Sequence, residues 1–322
     1  MMTYLDAGRM ALAEEMRRDP AVWALGEDLG RGGVFGQYRG LQDEFGPDRI
    51  ADTPISEAAI MGAAVGAAIM GTRPVVEMRF SDFALCAMDE LVNQAAKARF
   101  MFGGQARVPM VVREPIGMWR SSAAQHSQSL EAWYAHVPGL VVACPATPAD
   151  AHGMLKSAIR CDDPVVFMEH KGLWPMQGEV PDDPDHLVTL GQARLARPGQ
   201  DITIVSWSAQ VGVCLDAAAT LDAAGVSAEV IDLRTLWPWD KAAVFASLER
   251  TGRLLVVHEA VAVGGFGAEV VATVAEHRAG SLRAPPRRLG APRALIGYAP
   301  SVEDAVRVSA EKIVATAREM MR

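Results

Sequence analysis

The chain has 322 residues, 50% hydrophobic and 22% charged, with a formal net charge of −8. It is long enough for two domains with a large buried core, in the ordinary composition range of a soluble α/β protein. No basic run exceeds a pair, which excludes nucleic acid and an anionic membrane as partners but leaves a small acidic substrate open.

The first 20 residues read as an amphipathic helix that carries acids, unlike a secretory signal or a transit peptide. A strand follows at Val22–Gly26, and then the glycine-rich stretch GEDLGRGGVFGQYRG over 26–40. Its glycines match neither the dinucleotide nor the phosphate-loop pattern, so a flexible loop and a ligand contact both stay open. In DTPISEAAIMGAAVGAAIMG (52–71), Pro54 forbids a helix before it and Ser56 suits an N-cap, so a helix starts at Glu57. From Ala58 to Met70 it is apolar on all sides, with Gly62, Ala63, Gly66 and Ala67 on neighbouring ridges, which predicts burial on every side. At about 20 Å it is too short to cross a bilayer. Glu57 is its one ionisable group. It reads either as a carboxylate favoured by the helix dipole, worth roughly 0.3–1 kcal/mol, or as a site residue.

Strands are expected at Pro74–Met78, Val108–Arg113, Leu140–Cys144 and Val165–Glu169, with helices at Phe83–Phe102 and Pro148–Arg160 between them. The loop Arg113–Ser129 leaves the carboxyl end of a strand, where parallel sheets place ligands. It carries His126 among Gln125, Ser127 and Gln128, together with Arg113 and Arg120. A linker rich in Pro, Gly and Asp covers 170–200, so the domains divide near residue 185, as 1–185 and 186–322. Beyond it come strands Ile202–Trp207, Ala228–Asp232 and Leu254–His258, helices Gln210–Ala224, Lys241–Thr251 and Gly267–Arg278, and an amphipathic helix from Ser301 to Met321. The alternation predicts an α/β chain of two doubly wound domains.

Cys86, Cys144, Cys161 and Cys214 form no C-x-x-C pair and no zinc spacing, so they read as core fillers in a reduced, cytoplasmic setting. None of the seven histidines pairs at zinc-ligand spacing, and neither G-x-S-x-G nor H-E-x-x-H occurs. Asn93 is the only asparagine, and the chain contains no Gly-Asp-Gly.

Eight landmarks stand in order: GEDLG (26–30), DTPISE (52–57), VNQAAKARFMFGG (92–104), AAQHSQS (123–129), HVPGLVV (136–142), SAIRCDDPVVFMEHK (157–171), VIDLRTLWP (230–238) and HEAVAVGGFGAE (258–269). On these the chain resembles the beta subunit of the thiamine-diphosphate-dependent decarboxylating component of 2-oxo acid dehydrogenase complexes. RFMFGG, AAQHSQS and FMEHKGLWPMQGEVP look most like the acetoin dehydrogenase beta subunit, with the pyruvate and branched-chain 2-oxo acid enzymes as close alternatives. The resemblance implies a thiamine pyrimidine-binding domain followed by a transketolase C-terminal-like domain.

Glu57 aligns with the carboxylate that hydrogen-bonds the pyrimidine ring, a role suited to a buried glutamate whose pKa is raised by desolvation. Phe83 aligns with the aromatic residue packed on that ring, and His126 with the histidine that handles the acyl group and its transfer to lipoyl. Met110, Ala158, Ile159, Cys161 and Asp163 align with a structural potassium site, although many relatives carry Asp where this chain has Cys161. Thiamine enzymes of this kind hold diphosphate and magnesium through Gly-Asp-Gly and paired asparagines, which are absent here. The resemblance therefore implies an alpha subunit that supplies that end in an α2β2 heterotetramer, and a lipoyl-bearing acyltransferase core beyond it. Segments 32–41, 116–122 (with the bulky Trp119) and 292–304 depart from the family pattern. A non-catalytic assembly or regulatory subunit with the same fold is opposed by intact Glu57 and His126. A stand-alone transketolase-like enzyme is opposed by the missing diphosphate motif.

Overall fold

The computed structural model describes residues 1–322, which divide into two units: 1–116 with 133–190, and 117–132 with 191–322. In the first unit, parallel strands run in the order Val141–Ala143, Val165–His170, Val111–Ile116, Arg73–Glu77, Val22–Gly26 and Ile50–Asp52. Their residues are mostly apolar and buried, as expected of strands covered on both faces. Helix Tyr4–Arg18 begins where Thr3 Oγ1 accepts the Asp6 amide at 3.0 Å. Helix Pro148–Arg160 has Thr147 as its cap and Pro148 in its first turn, and Arg160 pairs with Glu15 of the first helix at 2.6 Å. The core beneath them includes Leu12, Met16, Val75, Leu155 and Phe167.

Register brings Gly26 beside both Asp52 and Glu77, so the carboxyl ends of three strands lie level. Gly26 is required there, because a Cβ at this position would stand 2.7 Å from the Glu77 carbonyl oxygen. The segments that leave this edge carry Glu27, Glu57, Arg79 and Phe83.

The second unit has strands in the order Arg287–Ala291, Leu254–Val261, Ile202–Ser206, Ala228–Asp232 and Arg194–Arg197, parallel except for the antiparallel edge strand Arg194–Arg197. Helices Gln210–Asp222 and Ala310–Met320 share its core with Ile204, Val230 and Leu255. No helix is long and apolar enough to cross a membrane.

Five expectations need correction. Helix Glu57–Ile69 is not buried all round: Ile60, Met61, Ala64, Val65 and Ala68 face the core, while Ala59, Ala63, Gly66, Ile69 and Met70 are exposed. Its first-turn amides receive no bond from the Ser56 side chain. The expected helix Phe83–Phe102 changes pitch along its length. A short α-helix, Ser81–Ala84, leads through a 3-10 turn into a π-helix, Asp89–Ala95, and then α-helix Ala96–Met101. Hydrophobic spacing does not report such changes of winding. The closing segment forms two helices, Pro300–Val306 and Ala310–Met320, because Arg307 is extended and Ser309 caps the second. Finally, Cys144 and Cys214 are buried and the half-buried Cys161 packs against the first core, but Cys86 is exposed and fills none. Edge strands Ile50–Asp52, Arg194–Arg197 and Arg287–Ala291 went unpredicted, being short or polar.

Candidate active-site residues

Glu57 occupies the first turn of its helix and is half-buried rather than enclosed. Close to it lies Glu27, buried at 8% exposure and held by Arg79 through Nε to Oε2 at 2.8 Å. Arg79 also pairs with Asp28. Burial pushes the Glu27 carboxyl above its ordinary value; Arg79 opposes this and the charge of Glu57 adds to it.

Phe83 is half-buried in the short helix Ser81–Ala84 that follows strand Arg73–Glu77. Its ring meets Phe80 edge-on at 5.4 Å, Phe80 meets Phe35 at 6.0 Å, and Phe35 lies 4.4 Å from Trp174. The fully buried Lys171 places Nζ 4.8 Å from the Phe80 ring centre. The edge thus offers a partly exposed carboxylate and an aromatic face, the two features that fit a pyrimidine ring.

His126 lies in the segment 117–132, which belongs to the second unit. It is half-buried, and its amide donates to Ala123 O at 3.4 Å. Arg120, Ser121 and Ala123 all adopt positive φ (50°, 56° and 63°), an unusual density of left-handed residues that are not glycine. Arg113, expected at the start of this loop, is instead in mid-strand with 2% exposure.

The five residues aligned with potassium gather where helix Pro148–Arg160 ends. Ile159 O and Cys161 O both accept from Arg73 Nη1 at 3.0 Å, Ala158 O accepts the Cys161 amide at 3.2 Å, and Met110 O accepts the Val165 amide at 3.0 Å. Asp163 pairs with Arg99 at 2.5 Å. Each carbonyl retains a second lone pair, which fits a weakly hydrated monovalent cation, with the Arg73 guanidinium as a resident competitor. No group of three or more His, Cys, Asp or Glu side chains is arranged to hold a metal ion.

Residues 1–177 match the transketolase pyrimidine-binding domain family and residues 191–313 the transketolase C-terminal domain family. The chain is 43% identical to the 2-oxoisovalerate dehydrogenase subunit beta of Bacillus subtilis, over 99% of this chain and 98% of that protein. It is 44% identical to the acetoin:2,6-dichlorophenolindophenol oxidoreductase subunit beta of Cupriavidus necator, over 97% and 95%. A mitochondrial pyruvate dehydrogenase E1 component subunit beta-2 of Oryza sativa is 43% identical over 96% and 85%. The chain belongs to this family of dehydrogenase beta subunits. In fold it is similar to an inactive beta4 tetramer of a split-gene transketolase, with a TM-score of 0.82 at 22% identity over 99% of this chain and 98% of that one.

The structure adds groups to this beta subunit that sequence reading did not single out. Arg113 holds Glu169 in a bidentate pair, Nε to Oε2 at 2.8 Å and Nη2 to Oε1 at 3.0 Å, with Glu77 at 3.7 Å. Gln37 Nε2 and the Tyr38 hydroxyl donate to the two oxygens of Glu77 at 3.1 and 2.9 Å, tying the glycine-rich loop to the sheet. Burial lifts Glu77 to about 7 against the pull of Arg113, and lifts Glu114, which accepts from Ser81 Oγ at 2.8 Å, to about 8. The signal for these was a charge inside an apolar strand run, as in VVREPI and VVFMEH.

Proposed function

We infer that the chain is the beta subunit of a thiamine-diphosphate-dependent dehydrogenase that cleaves a 2-oxo acid or acetoin and passes the acyl group to a lipoyl carrier, with an alpha subunit completing the active site. One observation carries this reading: Glu57 stands in a first helical turn at the carboxyl edge of the sheet, in a chain that aligns end to end with such beta subunits. Thiamine diphosphate, when bound, supplies the electron sink for breaking the bond beside a carbonyl. Glu57 would hold a proton against the pyrimidine nitrogen, and Phe83 would pack on that ring. His126 would donate and accept protons as the acyl group is handed to lipoyl.

Diphosphate and magnesium are assigned mainly to the alpha subunit, because this chain has neither Gly-Asp-Gly nor an asparagine pair. We extend the proposal to an α2β2 heterotetramer docked on a lipoyl-bearing acyltransferase core in the cytoplasm, to domains at 1–185 and 186–322, and to potassium on the free lone pairs of the Met110, Ala158, Ile159 and Cys161 carbonyls near Asp163. Relatives named for 2-oxoisovalerate and for acetoin are 43% and 44% identical, so the reading commits to the reaction class. With the alpha subunit present, Glu57→Gln is expected to lower turnover by roughly 10²–10⁴. His126→Ala is expected to impair acyl transfer to lipoyl. Near-normal rates in steady-state assays would return Glu57 to a dipole role and remove His126 from the chemistry.

A further inference from the structure

The segment 117–132 is tied both within itself and to the rest of the second unit. Within it, the Gly117 amide donates to Gln128 O at 3.3 Å, the His126 amide to Ala123 O at 3.4 Å, and Ser122 Oγ to Trp119 O at 2.6 Å. Three left-handed residues raise its energy. The rest of the second unit grips it at both ends.

At the first end the Met118 peptide is gripped on both sides. Its amide donates to Glu259 Oε1 at 2.7 Å, and its carbonyl accepts from Arg307 Nη2 at 3.0 Å. Arg307 is available because the chain is extended there, between two helices. The arginine is braced by Glu303 one turn earlier and by Asp304 at 3.3 Å. At the far end Ser129 Oγ reaches the same Glu259 oxygen at 3.5 Å, and the Trp207 indole donates to Glu131 Oε1 at 3.1 Å. Trp207 is held in turn by the neighbour of Glu259, since the His258 ring stacks on it at 5.3 Å and 13°. His258 fits because Gly265, Gly267 and Gly290 surround it, and a Cβ on any of them would come within 2.6–2.8 Å of the imidazole.

We propose that Glu259 and Arg307 are positioning residues for His126: they clamp the Met118 peptide and so fix the loop that presents the histidine. Neither acts on the reacting atoms. This rests on the acyl-transfer role of His126 given above. It also gives a purpose to the His-Glu pair of HEAVAVGGFGAE and to the break at Arg307, which the proposed chemistry leaves unused.

The test uses the enzyme assembled with its alpha subunit. Glu259→Ala and Arg307→Ala should speed hydrogen exchange of the 118–130 amides about tenfold or more. They should lower acyl transfer to a free lipoyl domain by up to about 10²-fold. Turnover with a dye acceptor and the KM for the 2-oxo acid or acetoin should hold, and Arg307→Lys should recover much of the transfer rate. Unchanged exchange in both alanine variants overturns the clamp. So does unchanged transfer in a preparation where His126→Ala does lower it. If His126→Ala leaves transfer intact, the functional reading has failed on its own, and exchange alone judges the clamp. Should Glu259→Ala not fold, Arg307, 31% exposed, carries the same comparison.

Discussion

Glu114 is fully buried and interacts with Ser81, Tyr134 and Asp82. Burial is the main cause of its rise from an ordinary 4.5 to about 8; the Ser81 and Tyr134 hydroxyls oppose the rise and Asp82 adds to it. The unfolded chain sheds this proton near pH 4.5, whereas the folded chain keeps it to about pH 8. Between those values the unfolded state binds fewer protons, so stability falls as pH rises through the window and is level above it. The loss is on the order of 5 kcal/mol. Glu114→Gln keeps the shape and removes the titration. Its urea midpoint should therefore fall less than that of the parent between pH 5 and pH 9, and equal falls would show that Glu114 ionises as an exposed carboxyl does. Glu77 makes the contrast: it is equally buried, yet Arg113 and two loop donors restrain its rise to about 7.

At the scale of the element, helix Glu57–Ile69 shows what a sequence can and cannot convey. Its start, length and apolar character were legible from Pro54 and the Ala-Gly-Ile-Met run, although Ser56 gives no side-chain cap. Its open face was not, because an apolar helix reads alike whether a sheet or another chain covers it. The same limit explains Arg113, where a charge at a strand end reads as a loop residue until its partners Glu169 and Glu77 come from distant segments. Glu57 and His126 stood out by position in the sequence, and the resemblance alone gave roles to them and to Phe83. The clamp on Met118 was not legible at all, since it joins residues 141 and 189 positions apart. Gly66 lies on the open face, with nothing within 4 Å of a Cβ added there. Gly66→Leu should leave the thermal midpoint of the lone chain level or slightly higher, as leucine is the better helix former by nearly 1 kcal/mol. The added side chain would keep a partner helix from approaching to 8–10 Å, so association with the alpha subunit should weaken about tenfold or more. Sedimentation of mixtures checks this, and undiminished association would place the interface elsewhere.

For the whole molecule, each unit has its own sheet and core, so neither fold demands the partner. The demand comes from chemistry. A doubly charged diphosphate and its magnesium need clustered oxygen ligands and backbone donors. This chain has a single asparagine, no Gly-Asp-Gly, and no cluster of three acidic, His or Cys side chains arranged for a metal. Its net charge of −8 further disfavours an anionic ligand held by this chain alone. What it offers is a carboxylate and an aromatic face, enough to orient a ring but too little to retain a hydrated anion. Calorimetric titration of the isolated chain with thiamine diphosphate and magnesium should therefore show binding at least about 10²-fold weaker than with the alpha subunit added, a deficit of roughly 2.7 kcal/mol. Tight binding by the chain alone would mean that the diphosphate contacts lie within it, and the division of the site between two polypeptides would have to be abandoned.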